Sequence, residues 1–447
     1  MAITISRILH AGYVFTCGET VIAFDPIVEN PFSRNCHAFP DVAFDHAQIA
    51  RLRLAAVFIS HYHDDHCSLD SLVHLDRATP IYMYCLFEEM FDMIRALGFT
   101  QVQQVRTNEP IRVGAFDVIA RQALDADVDS MFQIQAEGLN ILNVVDAWID
   151  SDCLARYADS VRWDMVLWPF QTMRELAVLS PGRAQPVPEA LPEEWFEQLA
   201  MLAPRYLVPS SCQFVQEPWS WYRHAYFPVS YRRFAREMAA ALPGTQVVRL
   251  NPSVSVTLDQ DGVRPAPPLP WVQPVGEQDV DYHYDPLLPV PSTASIARRF
   301  GKLTDDEQAL VDAYCSAGLL EKYRAMQLDE ESYFARPRVW QLSVFDHEGT
   351  ARPYWYRVHG DMITSIAPGS AAPAWTTEVP AAKLHGALAL GESLTTMYMR
   401  INGGTFDDAI EADLQHADLL DDPLVRTLFN DIFGAYQAAQ LRRLQGA

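Results

Sequence analysis

Hydrophobic and polar positions alternate in short runs through the first half of the chain. Segments 13–16, 20–24, 56–59, 81–84, 116–120, 131–135, 141–145, 165–168, 206–208 and 247–249 are rich in β-branched and aromatic residues and predict strands. Residues 193–202 and 232–242 have helical spacing, and Gly138 with Asn140 marks a hairpin between two strand runs. Strands interleaved with helices predict a layered α/β domain over 1–263. Residues 264–295 are dense in proline (Pro265, Pro267, Pro268, Pro270, Pro274, Pro286, Pro289, Pro291), which forbids a helix and predicts an extended connector. Its aromatics Trp271, Tyr282 and Tyr284 predict that it lies against a surface.

An α+β accessory domain is expected over 296–447. Thr304 and Glu307 have capping-box spacing and open a helix through Ala313. Strands are expected at 339–345 and 354–358, and a helix at 381–390. From Asp422 and Pro423 a last helix would carry Val425, Leu428, Phe429, Ile432, Phe433 and Tyr436 on one stripe, as packed core or a homodimer contact.

The formal net charge of -23 over 447 residues argues against nucleic acid, whose phosphates would be repelled. Seven cysteines without a CxxC pair predict neither a disulfide framework nor a zinc ribbon. No apolar run approaches a membrane span and no secretory signal is read, so a cytoplasmic protein is expected.

The chemistry concentrates in Ser60-His61-Tyr62-His63-Asp64-Asp65-His66, directly after the apolar run 54–59. Three imidazoles and two carboxylates leaving a strand's C-terminal end can aim several donors at one or two metal ions.

His61-x-His63-x-Asp65-His66 resembles the signature of the metallo-β-lactamase superfamily, together with His10-Ala11-Gly12, Phe24-Asp25-Pro26 and Asp146 after the strand 141–145. The resemblance implies an αββα sandwich with a dinuclear site at one edge. It further implies His61 and His63 on the first metal, Asp65 and His66 on the second, and Asp146 bridging. Two departures stand out. Where the hydrolases carry a third histidine, this chain reads Ala123-Leu124-Asp125-Ala126-Asp127-Val128-Asp129, and Asp125 or Asp127 is the natural replacement. Where they carry a last histidine, it reads Val208-Pro209-Ser210-Ser211-Cys212.

Two imidazoles and a carboxylate form a donor set suited to non-haem iron, with zinc or manganese as alternatives. In this respect the chain resembles the di-iron β-hydroxylases that act on carrier-bound amino acids and, more loosely, the CMP-N-acetylneuraminate hydroxylases. It lacks the Rieske motifs of the latter, so electrons would come from a separate donor or from the substrate. The resemblance implies an O₂-activating di-iron oxidoreductase on a small polar, amino-acid-like or sugar-like substrate, with Asp65 and Asp146 central to the chemistry. The alternative is a dinuclear hydrolase of a lactone, phosphodiester or amide, in which Asp65 or Asp146 orients the water.

Trp221, Arg223 and His224 lie in an aromatic-dense stretch that begins at Glu217. It reads as a substrate wall with Arg223 pairing an anion, or as a packed loop bridging the two domains. His224 could also replace the absent last ligand. His10 is expected to orient a ligand without itself holding metal. Cys67, Cys212 and His74 are expected to be structural.

Overall fold

The computed structural model describes residues 2–170, 174–181, 186–225, 229–285, 287–326, 336–401, 423–428 and 433–446. In the N-terminal part the strands are β1 (Ile3–Arg7), β2 (Tyr13–Cys17), β3 (Thr20–Phe24), β4 (Ala56–Ile59), β5 (Ile81–Met83), β6 (Val102–Gln104), β7 (Pro110–Val113), β8 (Phe116–Gln122), β9 (Ser130–Ala136), β10 (Leu139–Asn143), β11 (Met165–Trp168), β12 (Tyr206–Pro209), β13 (Gln246–Val247), β14 (Ser255–Leu258) and β15 (Val263–Ala266). They form two mixed sheets, ordered β15-β14-β1-β2-β3-β4-β5-β6 and β13-β12-β11-β10-β9-β8-β7. In each sheet antiparallel pairing at one side gives way to parallel pairing at the other, through β3-β4-β5-β6 and β10-β11-β12-β13.

Period-two alternation explains the layering. Ala56 and Phe58 of β4 point between the sheets, where Phe24, Phe132, Ile134, Met165 and Leu167 meet them. Val57 and Ile59 point outward, onto α1 (Leu69–Leu72) and α2 (Glu88–Ala96). In the second sheet Val166 and Trp168 face α3 (Ser151–Ser160), α4 (Glu193–Leu202) and α5 (Tyr231–Ala241). Both faces of each central strand are therefore apolar, as parallel strands covered on both sides require. The result is the layered α/β domain expected from the pattern, in the αββα arrangement that the resemblance implies.

The proline-dense stretch is tied down at its start. Its first residues complete β15, and Val272–Gln273 pairs with Ala43–Phe44. The accessory part has its own core around the sheet of β16 (Arg338–Phe345), β17 (Ala351–His359), β18 (Met362–Ser365), β19 (Trp375–Pro380) and β20 (Arg400–Ile401), ordered β18-β17-β16-β19-β20. Helices α6 (Asp305–Ala313), with the expected Thr304–Glu307 capping box, and α7 (Ala381–Leu390) belong to this part.

The single terminal helix expected from Asp422 is interrupted. A short turn at Pro423–Arg426 is followed by α8 (Ala435–Leu444), and Gly434 between them adopts a left-handed φ of 66°. Phe429, Ile432 and Asp422 lie outside the described residues. Helix α8 packs back onto α1 and α2 of the N-terminal part. No described helix is long and apolar enough to cross a membrane.

Candidate metal centre

Strand ends converge at one edge of the sandwich. His10 follows β1, Asp25 follows β3, and the loop 60–66 follows β4. Asp129 immediately precedes β9, Asp146 lies just beyond β10, and Cys212 lies beyond β12. Four non-glycine residues here have left-handed backbone: His10 (φ 51°), Asp25 (38°), Val145 (64°) and Cys212 (61°). Each conformation costs about 1–3 kcal/mol, and such strain is usually tolerated where a site requires it. For β-branched Val145, next to Asp146, the departure is largest. The turn at His10 also needs Gly12, where a Cβ would come within 2.8 Å of the Asp25 carbonyl.

Asp25 organises the loop. Its buried carboxylate accepts the Ser60 backbone N–H at 2.8 Å, the Ser60 hydroxyl at 2.7 Å and His66 Nδ1–H at 3.0 Å. That last bond fixes the ring so that His66 Nε2 faces Asp146 Oδ2, 3.1 Å away. The Ser60 hydroxyl, its proton given to Asp25, accepts from His61 Nδ1 at 3.0 Å. His61 Nε2 is thereby turned toward His63 Nδ1, also at 3.0 Å. The loop itself closes through the N–H groups of His66 and Cys67, both donating to the His63 carbonyl.

Two groups of donors result. His61 and His63 gather with Asp129, and Asp65 and His66 gather with Asp146 and His10. Asp146 also lies 3.9 Å from His61 Nε2, so it stands between the groups as expected for a bridge. Its Oδ1 is buried and has no protein donor. An orphaned carboxylate oxygen among converging imidazole nitrogens fits cations in this space.

The charges are strongly coupled. Burial alone would raise the Asp146 carboxyl, but His66 and His61 hold it well below the usual range. Burial would lower His66, yet Asp146 and Asp65 hold its imidazolium well above its ordinary value. Asp65 is lowered in the same way by His66 and His10, against burial. His61 goes the other way, pushed well down by burial and by the His66 charge. Burial and the Asp146 charge push Asp129 up to about 7.

The carboxylate beside His61 and His63 is Asp129, and neither Asp125 nor Asp127 joins the cluster. Both of those are exposed at the tip of the β8–β9 connection, where Asp125 Oδ1 caps the Asp127 N–H at 3.2 Å. Asp129 sits next to the paired residue Ser130, whose hydroxyl donates to the Ser60 carbonyl at 2.8 Å. That bond ties the foot of the acidic loop to the histidine loop and leaves Asp129 Oδ1 3.8 Å from His61 Nδ1. The usable signal was position: the residue adjoining the strand, and not one at the turn's tip, is held at the sheet edge.

The aromatic stretch is a packed seam. Trp221 is buried, donates Nε1–H to the Val178 carbonyl at 2.8 Å, and lies under the Arg400 guanidinium. Tyr222 stacks on Tyr398, with ring centroids 4.5 Å apart. Trp221 is therefore no wall of an open site. Arg223 is exposed, and among the described residues no hydrogen bond or ion pair ties it to the metal centre. The side chain of His224 lies outside the described residues. Cys67 is fully buried, His74 stacks on His46 at 3.7 Å, and burial raises the Cys212 thiol well above its ordinary value.

Gln437 and Gln440 on α8 carry no signal in the sequence pattern. Gln437 donates to the Tyr62 carbonyl at 2.7 Å and to the Cys67 carbonyl at 3.3 Å. Gln440 accepts the Leu69 N–H at 3.0 Å and donates to Ser68 Oγ at 3.1 Å. The end of the chain thus braces the back of the histidine loop.

The layers and the site together make an αββα sandwich at whose edge two groups of side chains that could hold metal ions converge. No protein-family model matches the sequence, and no curated protein does. Solved structures similar to the chain include metallo-β-lactamase-fold proteins, metal-dependent hydrolases and a diiron β-hydroxylase. Igni18, a metallo hydrolase from Ignicoccus hospitalis, is 15% identical over 58% of this chain and 99% of its own, with a TM-score of 0.39. CmlA, a diiron β-hydroxylase from Streptomyces venezuelae, is 15% identical over 57% of this chain, with a TM-score of 0.39, and the match spans 54% of its length. YhfI from Bacillus subtilis, a metallo-β-lactamase fold protein, is 13% identical over 57% of this chain and 99% of its own, with a TM-score of 0.38.

Proposed function

We propose that the protein is a di-iron oxidoreductase that uses O₂ to hydroxylate or otherwise oxidise a small polar substrate, amino-acid-like or sugar-like, free or carried by a protein. The observation that supports this reading is Asp129 in company with His61 and His63. Two imidazoles and a carboxylate favour iron more than an all-imidazole set does. A bound iron pair would supply O₂ activation and electron transfer. For hydroxylation, one oxygen atom enters the substrate and the other leaves as water, with two electrons and two protons from a separate donor.

The chain's own residues set the conditions. Asp146 has one oxygen toward His66 and the other without a protein partner, as a shared ligand needs. Asp65 and His66 would hold the second position together with Asp146. Asp25 and Ser60 hold the His61 and His66 rings in orientations that would present Nε2 to a metal.

The test loads the full chain with Fe(II) without oxygen. It then follows O₂ uptake with a chemical reductant and a panel of amino acids and sugars, free and carrier-bound. The zinc-loaded chain is assayed in parallel on lactones, phosphodiesters and amides. Substrate-dependent O₂ uptake by the iron form is expected. Turnover by the zinc form, with no O₂ uptake by the iron form, would establish a hydrolase instead.

A further inference from the structure

His10 lies within ligand distance of the second metal position, in one group with Asp65, His66 and Asp146. Proximity alone would make it a fourth ligand there. Its hydrogen bonds argue otherwise. The Cys212 backbone N–H donates to His10 Nδ1 at 3.0 Å. The peptide plane fixes where that hydrogen lies, so the Nδ1 lone pair is already committed. A neutral imidazole has one lone pair and one N–H, which leaves the proton on Nε2. Turning the ring over would put a carbon against the Cys212 N–H, so the orientation is also determined.

His10 Nε2 lies 3.2 Å from Asp65 Oδ2 and 3.1 Å from His66 Nε2. The carboxylate is the better acceptor, and His66 Nε2 is the atom a metal would take.

The donor in this arrangement is built in. Cys212 reaches His10 from a left-handed backbone position at the end of β12. The preceding carbonyls of Pro209 and Ser210 accept from the buried Arg7 guanidinium at 3.4 and 2.6 Å, and Tyr13 Oη lies 2.9 Å from Ser210 Oγ. The Ser211 hydroxyl donates to the Val145 carbonyl, beside Asp146. His10 itself is buried between Phe32 and Phe214, with ring centroids 5.7 and 5.5 Å away.

We infer that His10 is a positioning residue and not a metal ligand: Cys212 locks it as an Nε2–H donor that holds one oxygen of Asp65. The inference rests on the reading of a dinuclear centre but not on which reaction that centre performs. The second metal then has Asp65, His66 and the shared Asp146 as its protein donors and keeps open positions. Glutamine can reproduce this role, since its amide oxygen accepts from Cys212 and its amide nitrogen donates to Asp65. It cannot replace an imidazole ligand as well.

The test has two readouts. In the metal-free full chain labelled with nitrogen-15 histidine, long-range proton–nitrogen NMR should find the His10 proton on Nε2. A proton on Nδ1 would overturn the inference whatever the metals do. In the metal-loaded chain, His10→Gln should keep the wild-type metal stoichiometry and unchanged imidazole scattering in X-ray absorption, whereas His66→Ala loses one metal equivalent. Loss of one equivalent in His10→Gln, or loss of imidazole scattering, would make His10 a ligand. A wild-type chain that takes up no metal pair, with His10 still protonated at Nε2, would refute the dinuclear reading and leave the tautomer standing.

Discussion

The histidine loop 60–66 and the acidic loop 123–129 face each other across the metal centre, and they are built in opposite ways. The histidine loop is held from beneath by Asp25, from behind by Gln437 and from within by its own backbone turn. The acidic loop is fixed at its ends and exposed at its tip, and it contributes Asp129 alone, from beside the strand. One loop presents candidate ligands whose orientation is set in advance. The other supplies a carboxylate that distinguishes this centre from an all-imidazole one. On the proposed reading, preorganisation and metal preference reside in different segments.

Removing the support of the histidine loop should have the largest effect. Asp25→Ala leaves the Ser60 N–H and hydroxyl and His66 Nδ1 without their acceptor. Breaking such a buried charged network costs roughly 3–5 kcal/mol. Urea unfolding of the metal-free chain should show that loss, and a change under about 1 kcal/mol would mean that the loop holds itself.

Next come the carboxylates. Asp129→Ala should weaken binding at the first metal position by about a hundredfold or more, measured by competition with a chromophoric chelator. Asp125→Ala and Asp127→Ala should leave affinity within about threefold, because exposed substitutions away from a site perturb little. Equal losses in all three would mean that the loop binds through its charge and not through a defined ligand.

Glu29 reports on the back of the histidine loop through a pH effect. It accepts the Ser68 hydroxyl at 2.5 Å, and burial raises its carboxyl from 4.5 to about 7. Between those values the folded chain holds a proton that the unfolded chain has lost, so this group's contribution to stability falls as pH rises through the window. Glu29→Gln removes that slope. It should be near neutral at pH 4 and stabilising by about 2 kcal/mol at pH 8, a figure reduced for partial exposure. An equal effect at both pH values in thermal unfolding would contradict the assignment.

The smallest effect is expected at the brace. Gln437→Ala removes donors to the Tyr62 and Cys67 carbonyls, at about 1–2 kcal/mol, and should lower metal affinity about tenfold through the loosened loop. Unchanged affinity would limit the terminal helix to a role in stability.

Much of the sandwich was legible because its strands are short, apolar and bounded by turn residues. β4 and β11 were read with their observed ends, since nearly every side chain in them is buried. Short or polar strands such as β6 and β7 gave no such signal, because only their pairing makes them strands. The histidine loop was legible because its ligands are adjacent in sequence. Asp129 was not, because choosing among three aspartates depends on the β8–β9 register and on the Ser130 bond to Ser60. The Gln437 contact was out of reach because it joins positions separated by most of the chain.

The most direct test of the central claim is the Mössbauer spectrum of the full chain loaded anaerobically with iron and then exposed to O₂. The account predicts two iron atoms per chain, magnetically coupled through the shared Asp146, with the first position lost in Asp129→Ala. A single uncoupled iron site, or a spectrum that Asp129→Ala leaves unchanged, would contradict it.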